Sequence, residues 1–415
     1  MEYIYLNREV ILNNLINLSQ LTFEVTDICN LKCKYCGYGD LYQGFDERVN
    51  KQLPVDRAIR LLEYLMEHWN SSYGFSYQKD TYIGFYGGEP LLNMDFIRKI
   101  VDWIGKHSIP SRRFVFTMTT NGMLLDRYAD FLSEHSFQLL VSLDGDAYSN
   151  GYRTDHAGNS SFDRVYKNIR YVREKYPEFF EKNVRFNAVL HDRNSYDGLV
   201  AFFQKEFNKI PSVAELNPSG IRPERMGEYL KMKNDKFRNI NHSPARETLK
   251  ETLFMDAPET SILCYYLHWH TGNVYKNYTD LLVNHQMKRW YPTGTYLPFG
   301  KKMFLTVNGK ILPCERISHD HALGWVDEKE VSIDLEKIVE RYNAFYANYI
   351  PQCSKCYNNH TCIHCMFYNP HLTGSGKCDN FMSKKEYEVY ENDQLRYLAE
   401  HPALYRKIMT EVVFR

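Results

Sequence analysis

The chain has 415 residues, 44% apolar and 25% charged, the composition of a globular protein able to bury a sizeable core rather than of a disordered one. Lys plus Arg and Asp plus Glu each total 51, which excludes the basic field that nucleic acid or an anionic membrane surface would need. The opening MEYIYLNREV lacks the basic start and apolar run of a secretion signal, and no stretch approaches the roughly 18 uninterrupted apolar residues of a membrane span, so a cytoplasmic protein is expected.

Residues 1–20 form an extension before the first expected strand. From 21 to 217, short β-rich runs alternate with segments of helical periodicity, the signature of parallel βα units. The expected strands are Leu21–Thr26, Thr81–Tyr86, Phe114–Thr119, Gln138–Leu143, Val184–Leu190 and Val213–Leu216. Between the first two, Ala58, Leu61, Leu62, Leu65 and Met66 follow a helical spacing. The fold class is therefore α/β, a partial TIM-type barrel of six βα units. Residues 218–260 are charged and poor in strand pattern and are expected to bridge to a second, cysteine-rich domain over 261–383. Lys384–Val413 reads as a helix within a closing segment 384–415.

The segments after the strands carry the chemistry. The first strand runs into Cys29, the second into Gly87-Gly88-Glu89-Pro90, the third into Thr120-Asn121-Gly122 and the fourth into Asp144-Gly145. Loops after strand carboxyl ends build the active sites of such barrels, so these four are expected to share one pocket.

Ten cysteines in a reducing compartment point to metal ligands or catalytic thiols rather than disulfides. Cys29, Cys33 and Cys36 are spaced by three and then two residues. Thiolates suit iron–sulfur clusters, and three of them on a four-iron cluster leave one iron open to a small chelating ligand. On spacing alone a zinc site or buried thiols stay open. So do a plain turn for Gly87 and Gly88 and a solvated charge for Arg153.

The three-cysteine motif, the Gly87-Gly88-Glu89-Pro90 loop, and Ser142-Leu143-Asp144-Gly145 followed by Arg153 and Ser161-Phe162-Asp163 together resemble the radical S-adenosylmethionine (radical SAM) superfamily, across residues 21–217. The resemblance implies a SAM molecule chelated to the open iron and reductively cleaved to a 5′-deoxyadenosyl radical, with the cofactor carrying the hard chemistry. It implies SAM contacts from Tyr35, Gly87, Gly88, Glu89, Asn121, Ser142, Asp144, Arg153 and Leu190. In that set the Gly88 loop cradles the amino group, Ser142 meets the ribose or carboxylate, Arg153 pairs with the carboxylate and Leu190 flanks the adenine. An external electron donor such as a flavodoxin or ferredoxin is implied as well.

In the second cysteine region, Asn308-Gly309 between two β-rich runs is a strong hairpin signal, and its second strand leads to Cys314. Cys353, Cys356, Cys362 and Cys365 follow with gaps of two, five and two, then Cys378; Cys264 lies before them. Paired Cys-x-x-Cys units are also a structural zinc pattern.

The region resembles the SPASM extension of radical SAM enzymes, which carries two auxiliary four-iron clusters, for three in all. The resemblance implies Cys264, Cys314 and Cys365 for the first auxiliary cluster and Cys353, Cys356, Cys362 and Cys378 for the second. Seven thiolates for eight sites leave the first with a non-cysteine ligand or an open iron. By analogy with sulfatase-maturing relatives, Glu315 is implied as a base, against the commoner fate of a surface glutamate.

The expected activity is that of a peptide maturase that abstracts hydrogen from a residue of a ribosomally made peptide, leading to a crosslink or oxidation. The alternatives are an anaerobic sulfatase-maturating enzyme forming formylglycine and, more distantly, an iron–sulfur electron-transfer or binding protein. Only about 20 residues precede the first strand, so a precursor's leader is expected to bind a separate protein or the barrel and SPASM surfaces. The 33 tyrosines, with Tyr342, Tyr346 and Tyr349 regularly spaced, fit either core packing or peptide contact.

Overall fold

The computed structural model describes residues 2–71, 79–107, 109–110, 112–271, 289–359, 362, 364–368, 378 and 380–412. Two compact units divide them. One comprises Arg8–Asn239 and Tyr296–Ile338; the other comprises Met1–Asn7, Ile240–Thr295 and Val339–Arg415.

The first unit is an α/β sheet. Its parallel strands β1 (Gln20–Thr26), β2 (Lys79–Gly87), β3 (Arg112–Thr120), β4 (Gln138–Ser142), β5 (Val184–Leu190) and β6 (Ser212–Glu215) lie side by side in chain order. Helices intervene: α1 (Val55–Trp69), α2 (Met94–Lys106), α3 (Leu125–Glu134), α4 (Phe162–Lys175) and α5 (Tyr196–Phe207). All six expected strands form, the second and third starting two residues earlier than read. The helical spacing of α1 is a burial pattern: Ala58, Leu61, Leu62 and Leu65 have no exposed surface. Phe85, Phe116 and Phe137 fill part of the core, with ring centroids 5.4–6.4 Å apart.

The Asn308-Gly309 hairpin forms between β7 (Met303–Leu305) and β8 (Lys310–Leu312). Gly309 has φ +86°, and a Cβ there would stand 2.2 Å from the Val326 carbonyl oxygen, so glycine is required. The hairpin extends the barrel sheet. β7 pairs in parallel with β1, Leu21 opposite Met303, and β9 (Gly324–Val326) follows on the far side of β8. The 261–383 stretch is thus divided, residues 296–338 joining the unit of the sheet. Sequence periodicity does not reveal such a division, because it reports which face of a strand is buried and not which neighbour it pairs with.

In the second unit, Tyr342, Tyr346 and Tyr349 are at most 2% exposed, which makes this set core packing. The closing segment is two helices, α6 (Lys384–Glu400) and α7 (Pro402–Glu411), where one was expected. Pro402 disfavours helical backbone at the preceding residue, and His401 has φ −128° and ψ 61°. No helix among the described residues is long and apolar enough to cross a membrane.

Candidate active site

The loop after β1 carries Cys29, Cys33 and Cys36, and backbone pairing fixes its path. Lys32 N donates to Thr154 O at 2.7 Å and Lys34 N to Tyr152 O at 3.0 Å, with Leu31 bridged to Asp155. This pairing brings Arg153 to Cys33, Nη1 to Sγ 3.7 Å. His156 Nε2 lies 2.9 Å from the Cys29 carbonyl oxygen, a contact the sequence did not suggest.

Gly87 and Gly88 press against the start of the same loop. Gly87 has φ +134°, and a Cβ on Gly88 would stand 2.0 Å from Ile28 O. Their closeness is used: Gly88 N donates to Thr26 O and Glu89 N to Ile28 O, each at 2.8 Å. The fully buried Glu89 carboxylate accepts from Leu91 N, Thr120 Oγ1 and Asn121 N at 2.7–3.1 Å. Burial still raises its pKa to about 7. Asn121, so held, directs Nδ2 to Asn30 Oδ1 at 2.7 Å and lies 3.8 Å from Cys29 Sγ.

Asp144, after β4, is fully buried. Its Oδ1 accepts from Val189 N at 2.9 Å, while Oδ2 accepts from the Tyr35 hydroxyl and from Arg153 Nε at 3.2 Å. Burial alone would raise its pKa. Arg153 leads the groups that outweigh this and hold it below the usual carboxylate range. Both Glu89 and Asp144 thus accept hydrogen bonds from protein donors on neighbouring segments. Ser142 ends β4 at 8% exposure, and Leu190 ends β5 with none. His191, adjoining the same group, was missed by the sequence reading; a polar residue directly after a strand was the available signal.

Burial pushes the Cys29 thiol to about 11 and Cys33 to about 12, Cys29 and Cys36 acting on Cys33 as like groups. Neighbouring, half-buried thiols are what a positively charged metal site takes as thiolates. Among the described residues no three Cys, His, Asp or Glu side chains converge on a single-ion site. Three soft thiols on one loop are the donor chemistry that a four-iron cluster takes, so the donor set fits a cluster.

In the second unit, Cys353, Cys356, Cys362 and Cys378 line one cavity with Tyr3, Gln352 and His364. Burial raises Cys353 to about 12, and the other three thiols add to it. This donor set also fits a cluster. Cys264 is different. It is fully buried on the helix Pro258–Thr271 among Leu263, Tyr266, Leu267 and Ile408, and burial is the single cause raising its pKa to about 11. Cys365 lies beside Thr295 in the same unit. Cys314 is in the barrel unit, where Glu315 pairs with Lys302 at 2.9 and 3.2 Å. Burial would raise Glu315, but Lys302 holds it below the usual range.

Residues 23–204 match the sequence profile of the Radical SAM superfamily. The radical SAM cyclopropyl synthase TigE of Paramaledivibacter caminithermalis is 22% identical over 376 residues, 87% of this chain and 68% of that protein. A cysteine-type anaerobic sulfatase-maturating enzyme of Clostridium perfringens strain 13 is 32% identical over 176 residues, 41% of this chain and 43% of that enzyme. The chain therefore matches less than half the length of this second relative. Among solved structures, native anSMEcpe with bound AdoMet and the Cp18Cys peptide superposes with a TM-score of 0.56 at 19% identity, covering 94% of this chain and 99% of that one. The fold is shared with that structure, and residues 23–204 carry the match to the Radical SAM superfamily.

Proposed function

We propose that this chain, whose residues 23–204 match the Radical SAM superfamily, is a radical SAM peptide maturase acting on a side chain of a ribosomally made peptide. The single observation carrying this reading is the joining of Cys33, Arg153, Asp144 and Tyr35 in one buried network beside the cysteine loop.

When bound, a four-iron cluster and SAM supply reductive sulfonium cleavage and a 5′-deoxyadenosyl radical. Cys29, Cys33 and Cys36 would hold that cluster. Arg153, with Nε on Asp144 and Nη1 beside Cys33 Sγ, would turn Nη2 to the SAM carboxylate. Tyr35, Gly87, Gly88, Ser142 and Leu190 line the cofactor's place, while Glu89, Asn121 and Asp144 hold the loops that form it.

We assign a second cluster to Cys353, Cys356, Cys362 and Cys378, supported by their common cavity. A third cluster is the remaining part of the reading; the apolar surroundings of Cys264 favour a packing role for that residue. Glu315, kept ionised by Lys302, is the nearby base available once a substrate proton becomes acidic. A flavodoxin- or ferredoxin-type donor completes the system, and a precursor's leader would bind either a separate protein or the barrel and SPASM surfaces.

The peptide reading draws support from the bound peptide of anSMEcpe, a property of that protein. The same relatives favour a second reading, anaerobic sulfatase maturation. Candidate precursor peptides and a sulfatase-derived peptide, each incubated anaerobically with SAM and reductant, separate the two by mass change. A mass loss in the precursor with deuterium transfer into 5′-deoxyadenosine supports the first; aldehyde formation in the sulfatase peptide alone supports the second.

A further inference from the structure

We infer that His191 is a positioning residue for this site, holding Asp144 and, through it, the Arg153 guanidinium beside Cys33. The inference rests on the radical SAM reading of the site.

His191 directly follows β5 and has no exposed surface. Its ring lies against Tyr35 with centroids 5.7 Å apart and 30° between planes, and meets the edge of Tyr152 at 5.0 Å. A polar ring so placed is costly unless its nitrogens are engaged. Nδ1 accepts from Arg193 N at 3.1 Å, so the ring hydrogen is on Nε2.

The neighbouring Asn194 supports this tautomer. Its Oδ1 accepts from His191 N at 3.0 Å, which fixes the amide's orientation. Its two amide hydrogens then serve Val189 O at 3.0 Å and Asp144 O at 3.4 Å, and none is needed by Nε2 at 3.3 Å. Nε2 lies 3.8 Å from Asp144 Oδ2, beyond direct hydrogen-bond length, so its N–H meets that carboxylate as a charge–dipole contact. That oxygen also takes the Tyr35 hydroxyl and Arg153 Nε.

His191 thus supplies the third side of a cage around Oδ2, and its ring backs Tyr35. Without it Oδ2 keeps only Tyr35 and Arg153, and the guanidinium whose Nη1 approaches Cys33 Sγ at 3.7 Å is held less firmly. The consequence falls on SAM binding rather than on cluster retention, because no thiol contact involves the imidazole itself.

The test compares the anaerobic holoprotein with H191F, which keeps the aromatic packing but removes the Nε2 donor, and with H191Q, whose amide can donate from a similar place. Iron content, SAM affinity by equilibrium dialysis, and the change SAM causes in the electron paramagnetic resonance spectrum of the reduced cluster are measured for each. The expected result is unchanged iron, SAM binding weakened about tenfold in H191F with a diminished spectral change, and recovery in H191Q.

Wild-type affinity and spectral response in H191F would overturn the inference. R153K serves as the parallel control: if it too binds SAM normally, the reading of the whole site falls, whereas weakened binding in R153K with normal H191F removes only the role of His191. Should H191F lose iron, a double-mutant cycle of H191Q with D144N decides. Coupled effects on SAM affinity support the inference, and additive ones overturn it.

Discussion

Arg153 reaches two partners at once, Asp144 Oδ2 from Nε at 3.2 Å and Cys33 Sγ from Nη1 at 3.7 Å, with only 9% of its side chain exposed. One guanidinium thereby ties the loop after β4 to the cysteine loop after β1. It also compensates a carboxylate with no surface of its own.

Removing that compensation should be expensive. Arg153→Ala leaves Asp144 buried without its cation, and breaking a buried pair in this way costs on the order of 3–5 kcal/mol. Denaturant unfolding of the apoprotein checks this; a loss below about 1 kcal/mol, the range of exposed pairs, would mean the pair is solvated.

The two glycines before Glu89 give a prediction about assembly. Gly88→Ala puts a methyl against the Ile28 carbonyl, where 2.0 Å is available, so the cysteine loop must shift and iron loading should fall to a small fraction of wild type. Gly105→Ala is the contrasting case. It lies in α2 with nothing within 4 Å of an added Cβ, and should stabilise by about 0.5–1 kcal/mol with normal iron content. Iron per chain and thermal midpoints for both variants test the pair.

These loops were legible in the sequence because a cysteine, two glycines, Asn121 and Asp144 each follow a β-rich run. The strands themselves were legible from their alternation with helical periodicity. What joins the loops was not. The backbone pairing of 32–34 with 152–154, which sets Arg153 beside Cys33, is a contact between segments about 120 residues apart and leaves no periodic signal. The attachment of the hairpin to β1 was hidden for the same reason, since pairing partners are chosen by tertiary packing. Cysteine spacing equally could not separate Cys264, whose neighbours are apolar, from Cys353, whose neighbours are thiols.

That separation is testable. Cys353→Ala should remove about four irons per chain from the reconstituted protein. Cys264→Ala should leave iron content unchanged and cost about 1–2 kcal/mol as a small cavity in an apolar core. Equal iron loss in both variants would return Cys264 to the ligands.

Stability should fall as pH rises through weak acid. Glu24 on β1 is 3% exposed, and burial lifts its carboxyl to about 7 despite Arg48 at 3.2 Å and the Val307 amide. Its folded pKa lies above the unfolded value of 4.5. The protonated form is the favoured one in the fold, so the contribution is full below pH 4.5 and is lost as pH climbs to about 7. Urea midpoints of wild type and Glu24→Gln between about pH 5.5 and 8 measure this. The glutamine variant should show the shallower decline, and parallel curves would remove Glu24 as the cause.

The central claim is that the site around Cys29, Cys33 and Cys36 cleaves SAM. Anaerobically reconstituted protein, given SAM and a strong reductant, should release 5′-deoxyadenosine, and a variant with all three of these cysteines changed to alanine should release none. Absence of 5′-deoxyadenosine from the iron-loaded wild type, with candidate peptides present, would contradict the account, as would equal release from the triple variant.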